Sequence, residues 1–109
     1  MTKSAAITGS ASGIGLAATQ RLLAEGWTVY GLDRADQAEP RGGFKPVRCD
    51  VSDAASVAAA FAGIGTPLNA LICCAGVLRT GLMEDMSIED FDLVLNINTR
   101  GTFLCAQKA

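Results

Sequence analysis

The chain has 109 residues, half of them apolar and 18% charged, which suits one small globular domain with a limited core. A net charge of −2 gives no electrostatic basis for binding nucleic acid or an anionic membrane surface, and no apolar run approaches a membrane span. With no histidine, Cys-His and Ser-His catalysis and the common zinc spacings are excluded, and no metal site is expected.

The N-terminus leads directly into a strand with no signal-peptide pattern, so the expected compartment is the cytoplasm. Residues 4–8 read as a short buried strand of small and branched side chains. Thr8-Gly9-Ser10-Ala11-Ser12-Gly13-Ile14-Gly15 follows, and a helix is predicted over about 13–25, with Ile14, Ala18, Leu22 and Leu23 at helical spacing and Gly26 to stop it. Strand, glycine turn and helix in that order form the context of a phosphate cradle. Glycines let the main chain approach a pyrophosphate, and the helix start offers unpaired N–H groups to the anion. The candidate contacts are Gly9, Gly13, Ile14 and Gly15, with hydroxyl donors from Ser10 and Ser12. Taken alone, the glycine triplet reads better as a plain strand–helix turn.

A second strand, about 27–33, ends on Asp33, which lies 18 residues beyond Gly15. That is close to the distance at which an acidic residue accepts hydrogen bonds from an adenosine ribose. No Lys-Ser or Lys-Thr pair follows the last glycine, so this is not a P-loop. Arg34 to Phe44 reads as an exposed loop. Residues 45–49 form a shorter third strand that delivers Asp50 and Val51 to the carboxyl edge of the sheet. Ser52 or Asp53 caps a helix through about Phe61, with Val57 and Phe61 as its buried stripe. Residues 68–74 form a fourth strand, apolar on both faces. After a loop, Ser87 caps a long or kinked helix that continues to the end of the chain, with Gly101 as a close-packing point. Strands alternating with helices imply a parallel, doubly wound α/β sheet. The cysteines at 49, 73, 74 and 105 are expected to be buried, reduced thiols, because adjacent Cys73 and Cys74 point to opposite faces of a strand.

The combination of Gly-x-x-x-Gly-x-Gly, helix, strand and Asp resembles the classical short-chain dehydrogenase/reductase family. The resemblance runs from Ser4 to Ala109. It implies a Rossmann-type sheet in the order 3-2-1-4, forming a single dinucleotide-binding domain over residues 1–109 that is incomplete at its C-terminus. It also implies NAD as cofactor, preferred over NADP because the Asp33 carboxylate repels a ribose phosphate. Arg34 beside it is either a solvated loop charge or a guanidinium able to accept that phosphate. The Asp50 side chain and Val51 main chain are implied to meet the adenine; the plain alternative is that Asp50 starts the next helix. Cys73-Cys74-Ala75-Gly76 stands where the family has Asn-Asn-Ala-Gly, so Cys74, Ala75 and Gly76 flank the cofactor ribose but a strand-tying asparagine is lost. Asn96-Ile97-Asn98 through Phe103 is similar to the family's Val-Asn-x-x-Gly-x-Phe, which makes Asn98 the match to a catalytic asparagine that holds a water at a helix irregularity.

The family's downstream serine and Tyr-x-x-x-Lys have no counterpart in the 109 residues, since the lone tyrosine, Tyr30, is followed by Gly31-Leu32-Asp33-Arg34. Two readings follow. One is the N-terminal part of an NAD(P)-dependent oxidoreductase interconverting an alcohol and a carbonyl, inactive alone. The other is a non-enzymatic dinucleotide-binding module, or a truncated product, acting through a partner. The isolated chain is expected to be poorly soluble or to self-associate, as a homo-oligomer or through the exposed edge of its fourth strand. The loop from Val77 to Met86 is a candidate pocket wall that names no substrate.

Overall fold

The computed structural model describes residues 2–109. Four parallel strands, β1 (Ser4–Thr8), β2 (Thr28–Asp33), β3 (Phe44–Arg48) and β4 (Ala70–Cys73), form one sheet in the order β3-β2-β1-β4. This is the doubly wound arrangement the sequence implies. The central strand β1 is buried along its whole length. Its small residues Ala5 and Ala6 let helices approach closely on both faces. β1 pairs in register with β2 (Ser4 opposite Thr28) and β4 (Ala5 opposite Ala70), so the carboxyl ends of three strands come level.

Helix α1 (Gly13–Ala24) covers one face of the sheet; α2 (Ala54–Ala62) and α4 (Gly101–Lys108) pack together over the other. The second face holds the main core: Ala6, Tyr30 and Leu32 from the strands, Val57 and Ala60 from α2, and Ile97 and Cys105 from the C-terminal segment. Gly26 ends α1 as predicted. At φ +87 it lets its own N–H donate to the Leu23 carbonyl, and the Trp27 N–H to the Leu22 carbonyl, which closes a Schellman motif. Asp53 caps α2, its carboxylate accepting the Ala55 N–H at 3.0 Å. Ser87 caps α3 (Ile88–Val94), accepting the Asp90 N–H at 3.1 Å.

Several expectations require correction. Ile14 does not join the buried stripe of α1 and is 80% exposed; Gly15 and Thr19 face the sheet instead. Phe44 is buried and opens β3 rather than closing the loop. In α2 the inner positions are Val57 and Ala60, with Phe61 only partly covered. Cys73, expected to be buried, is exposed and Cys74 only partly covered, because β4 is the edge strand that the 3-2-1-4 order implies. β3 is the other edge and carries Pro46, which has no N–H to offer the open side. The C-terminal helix is interrupted by a π-helical turn over Leu95–Arg100. No helix among the described residues is long and apolar enough to cross a membrane.

Gly101, predicted as a close-packing point, sits against Val51: a Cβ there would lie 2.8 Å from Val51 Cγ2. One turn further on, the fully buried Cys105 thiol is pushed up to about 12 by desolvation, then by nearby Cys49 and Cys73. The sign follows directly. In the unfolded chain the thiol ionises near its ordinary 9.0. Its contribution to stability is therefore complete below that pH and is lost as pH rises towards 12. Stability should fall between these values with an added slope approaching about 1.4 kcal/mol per pH unit. Denaturant melts of wild type and Cys105→Ala across that range should differ by this slope.

Candidate functional site

A cleft of about 340 Å3 opens at the carboxyl ends of the strands, where ligands of open α/β sheets bind. One wall is the glycine turn, contributed by Gly9, Ser12, Gly13 and Ile14. The second is the end of β2, with Leu32, Asp33 and Arg34. The third is the end of β3, with Cys49, Asp50 and Val51. The fourth is Cys74 to Val77 after β4, backed by Ile97. Of the candidate catalytic and cofactor-binding residues, only Ser10, Gly15 and Asn98 stand outside this lining, and of the loop from Val77 to Met86 only Val77 joins it.

The three glycines of the turn serve three purposes. Gly9, at φ +71, passes so close to β4 that a Cβ would meet the Ala75 nitrogen at 2.7 Å. Gly15 presses the helix start onto the turn, and a Cβ there would sit 2.0 Å from the Gly9 carbonyl oxygen. Gly13, at φ +55, has nothing within 4 Å of where a Cβ would be, so its missing side chain leaves open space at the helix start. The Ser12 hydroxyl makes no capping bond to α1, and the first turn carries no acidic residue. The leading N–H groups of a twelve-residue helix are thus uncompensated where the cleft begins, an arrangement that favours an anion.

Asp33 is held rigidly. Its Oδ2 accepts the Ala11 N–H at 3.0 Å and its Oδ1 accepts the Ala35 N–H at 2.9 Å, which ties the end of β2 to the glycine turn. Each oxygen keeps a lone pair for a further donor. The Arg34 side chain is exposed, and its carbonyl accepts from Arg48, which is itself paired with Asp36.

Asp50 is not the helix cap. Its Oδ1 accepts from both the Ser52 N–H (3.0 Å) and the Ser52 hydroxyl (2.7 Å). The hydroxyl bond above all, then the N–H bond and the Arg34 charge, hold this carboxyl below its ordinary 3.8 against a contrary effect of burial.

Ser10, expected to point a hydroxyl at an anion, does not. It is 1% exposed and donates instead to Gln37. Asn98 lies inside the π-helical turn and clamps the loop after β4: its Oδ1 accepts the Val77 N–H at 2.8 Å and its Nδ2 donates to the Val77 carbonyl at 2.9 Å. The backbone of Val77 is thereby fixed beside Gly76, whose Cβ, if present, would lie 3.3 Å from Asn98 Oδ1.

The end of β1 and the segment after β4 are tied by Thr8, a residue given no role from sequence. The buried Thr8 Oγ1 accepts the N–H groups of both Cys74 and Ala75 at 3.1 Å. Its signal in the sequence was a hydroxyl residue ending a strand of otherwise small or apolar type. Thr8→Val keeps the shape but removes the acceptor, and should cost about 2 kcal/mol in a urea melt. Thr8→Ser should recover most of this.

A family model for the short chain dehydrogenases matches residues 3–109. The chain belongs to the short-chain dehydrogenase/reductase family. D-threitol dehydrogenase of Mycolicibacterium smegmatis is 38% identical over 117 residues, covering 96% of this chain and 45% of that protein. The 3-oxoacyl-[acyl-carrier-protein] reductase of Mycobacterium tuberculosis is also 38% identical, over all of this chain and 44% of its own length. The chain therefore spans under half the length of these curated relatives. Among solved structures, a short-chain dehydrogenase of Leptospira borgpetersenii with bound NAD+ superposes with a TM-score of 0.92 at 26% identity, over 99% of this chain and 44% of that one. Carbonyl reductase from chicken fatty liver, with NADPH bound, gives 0.88 at 28% identity, over 98% and 46%. Family members therefore hold either dinucleotide on this framework.

Proposed function

We propose that this chain is the dinucleotide-binding part of an NAD(P)-dependent oxidoreductase that interconverts an alcohol and a carbonyl, with NAD preferred. The observation that carries this reading is the uncompensated start of α1 facing a cleft in which the rigidly held Asp33 carboxylate stands on the neighbouring wall. When bound, the dinucleotide supplies or accepts the hydride. The residues fit such a ligand: Gly13 and the first N–H groups of α1 take the diphosphate, Asp33 accepts from the adenosine ribose, and Asp50 and Val51 flank the adenine. Ala75 and Gly76 leave room for the second ribose, and Asn98 positions the segment that follows them. A carboxylate at position 33 disfavours an added ribose phosphate, whereas Arg34 offers it a cation on an exposed stem. The carboxylate prevails because its orientation is fixed by two backbone bonds and the arginine's is not.

The 109 residues hold no acid–base pair for the reaction. Tyr30 is buried beneath the sheet, its hydroxyl 3.2 Å from Thr66 Oγ1. On this reading they bind the dinucleotide without turning over an alcohol. Titration with NAD+ and NADP+ by calorimetry should give the lower Kd for NAD+, and equal or tighter NADP+ binding would refute the preference.

A second reading, a dinucleotide-binding module that acts through association, is favoured by one feature. Ile88, Phe91 and Leu95 form an exposed apolar stripe, with Phe103 exposed beyond it and the β4 edge open.

A further inference from the structure

We propose that Gln37 is a positioning residue that ties the loop after Asp33 to the glycine turn, holding the anion-binding turn and the ribose-binding carboxylate in one register. The inference rests on the dinucleotide reading and extends it to a residue outside the cleft.

The observation is a three-segment junction. The buried Ser10 hydroxyl donates to Gln37 Oε1 at 2.5 Å, and Gln37 Nε2 donates to the Gly31 carbonyl at 2.9 Å. The amide orientation is fixed by chemistry, because a carbonyl oxygen only accepts and so must face the NH2 group. The junction also explains the glycine in the middle of β2. A Cβ on Gly31 would lie 2.7 Å from both Ser10 Oγ and Phe44 Cε1 and 3.1 Å from Gln37 Oε1, so a side chain there would have to push the junction and the Phe44 ring aside.

The tie differs in kind from the Asp33 tie. Ser10 and Ala11 are consecutive, and each is anchored to the β2 side: Ala11 through the Asp33 carboxylate, Ser10 through Gln37. Ribose hydroxyls approach the free lone pairs of Asp33, the same carboxylate that accepts from Ala11. They do not reach Gln37, which lines a separate depression of about 440 Å3 between α1 and the 36–44 loop that shares no lining residue with the cleft. The Gln37 anchor therefore persists while the ligand recruits Asp33. A turn held in advance binds with less ordering cost than one that must be ordered by the ligand.

The test is a set of Ser10→Ala, Gln37→Met and double variants, titrated with NAD+ and with ADP-ribose. Gln37 lies on a surface loop, and methionine keeps its length without its hydrogen bonds. Gln37→Met should raise the Kd of both ligands about tenfold, equally because the nicotinamide end is not involved. The double variant should bind no worse than Gln37→Met, since the two side chains form one unit. An unchanged Kd with a lowered Tm overturns the proposal in favour of a purely stabilising bond, and additive losses overturn the coupling. Should wild-type protein bind neither ligand, the dinucleotide reading falls separately. The tie is then judged by amide exchange at Ala11 in the ligand-free protein: faster exchange in Gln37→Met upholds it, and unchanged exchange overturns it.

Discussion

Gly15→Ala is expected to destroy the fold. The added methyl would stand 2.0 Å from the Gly9 carbonyl oxygen and 2.6 Å from its carbon, both backbone atoms with no rotamer to yield. Gly9 cannot retreat, because its own Cα already passes Ala75 too closely for a side chain. Relief requires lifting α1 off β1, which uncovers the face on which Ile7 and Val29 are fully buried. The loss should be about 4 kcal/mol or more, a large share of the total stability of a small domain. A urea melt followed by circular dichroism would show it as a collapse of the midpoint. Gly13→Ala is the informative partner. It meets no atom, costs about 1 kcal/mol for its positive φ, and leaves the protein folded with a methyl group in the anion cradle.

The second large effect is expected at Asp33. On the dinucleotide reading, Asp33→Ala removes the acceptor for two ribose hydroxyls, and bonds to a charged acceptor contribute about 1.5–3 kcal/mol each. The Kd for NAD+ should rise by about 100-fold or more. Binding of NADP+ should weaken less, because the repulsion of its extra phosphate disappears with the carboxylate. The Ala11 and Ala35 N–H groups lose their partner as well, but both lie near solvent, so the melt should shift only modestly. Calorimetric titrations of the two dinucleotides against wild type and variant measure the effect. Parallel losses for both would remove Asp33 from the discrimination.

Most of the framework was legible because its signals are local. Strand β1, the glycine turn, the stop at Gly26 and the carboxylate ending β2 are each written in a few adjacent residues, and spacing alone joins them. What escaped depends on contacts far apart in the chain. Helical spacing grouped Ile14 with Ala18 and Leu22, yet α1 must set Gly15 against Gly9, and that rotates Ile14 into the cleft. Phe44 followed two glycines and read as loop, whereas its ring fills the space that Gly31 leaves empty. A serine in the glycine turn does not announce which way its hydroxyl points; Gln37, 27 residues away, decides it. The resemblance around Asn98 did imply an irregular helix, and Gly101 did read as a close-packing point. That Asn98 would clamp Val77, 21 residues earlier, was not readable from any local pattern.

The most direct single measurement is an amide-resolved NMR titration of the protein with NAD+. The amides of Gly13, Ile14 and Gly15, the end of β2 around Asp33, and Val51 should shift together and saturate with one Kd. No shifts at millimolar NAD+, or saturable shifts confined to residues outside the cleft, would contradict a dinucleotide site at the start of α1.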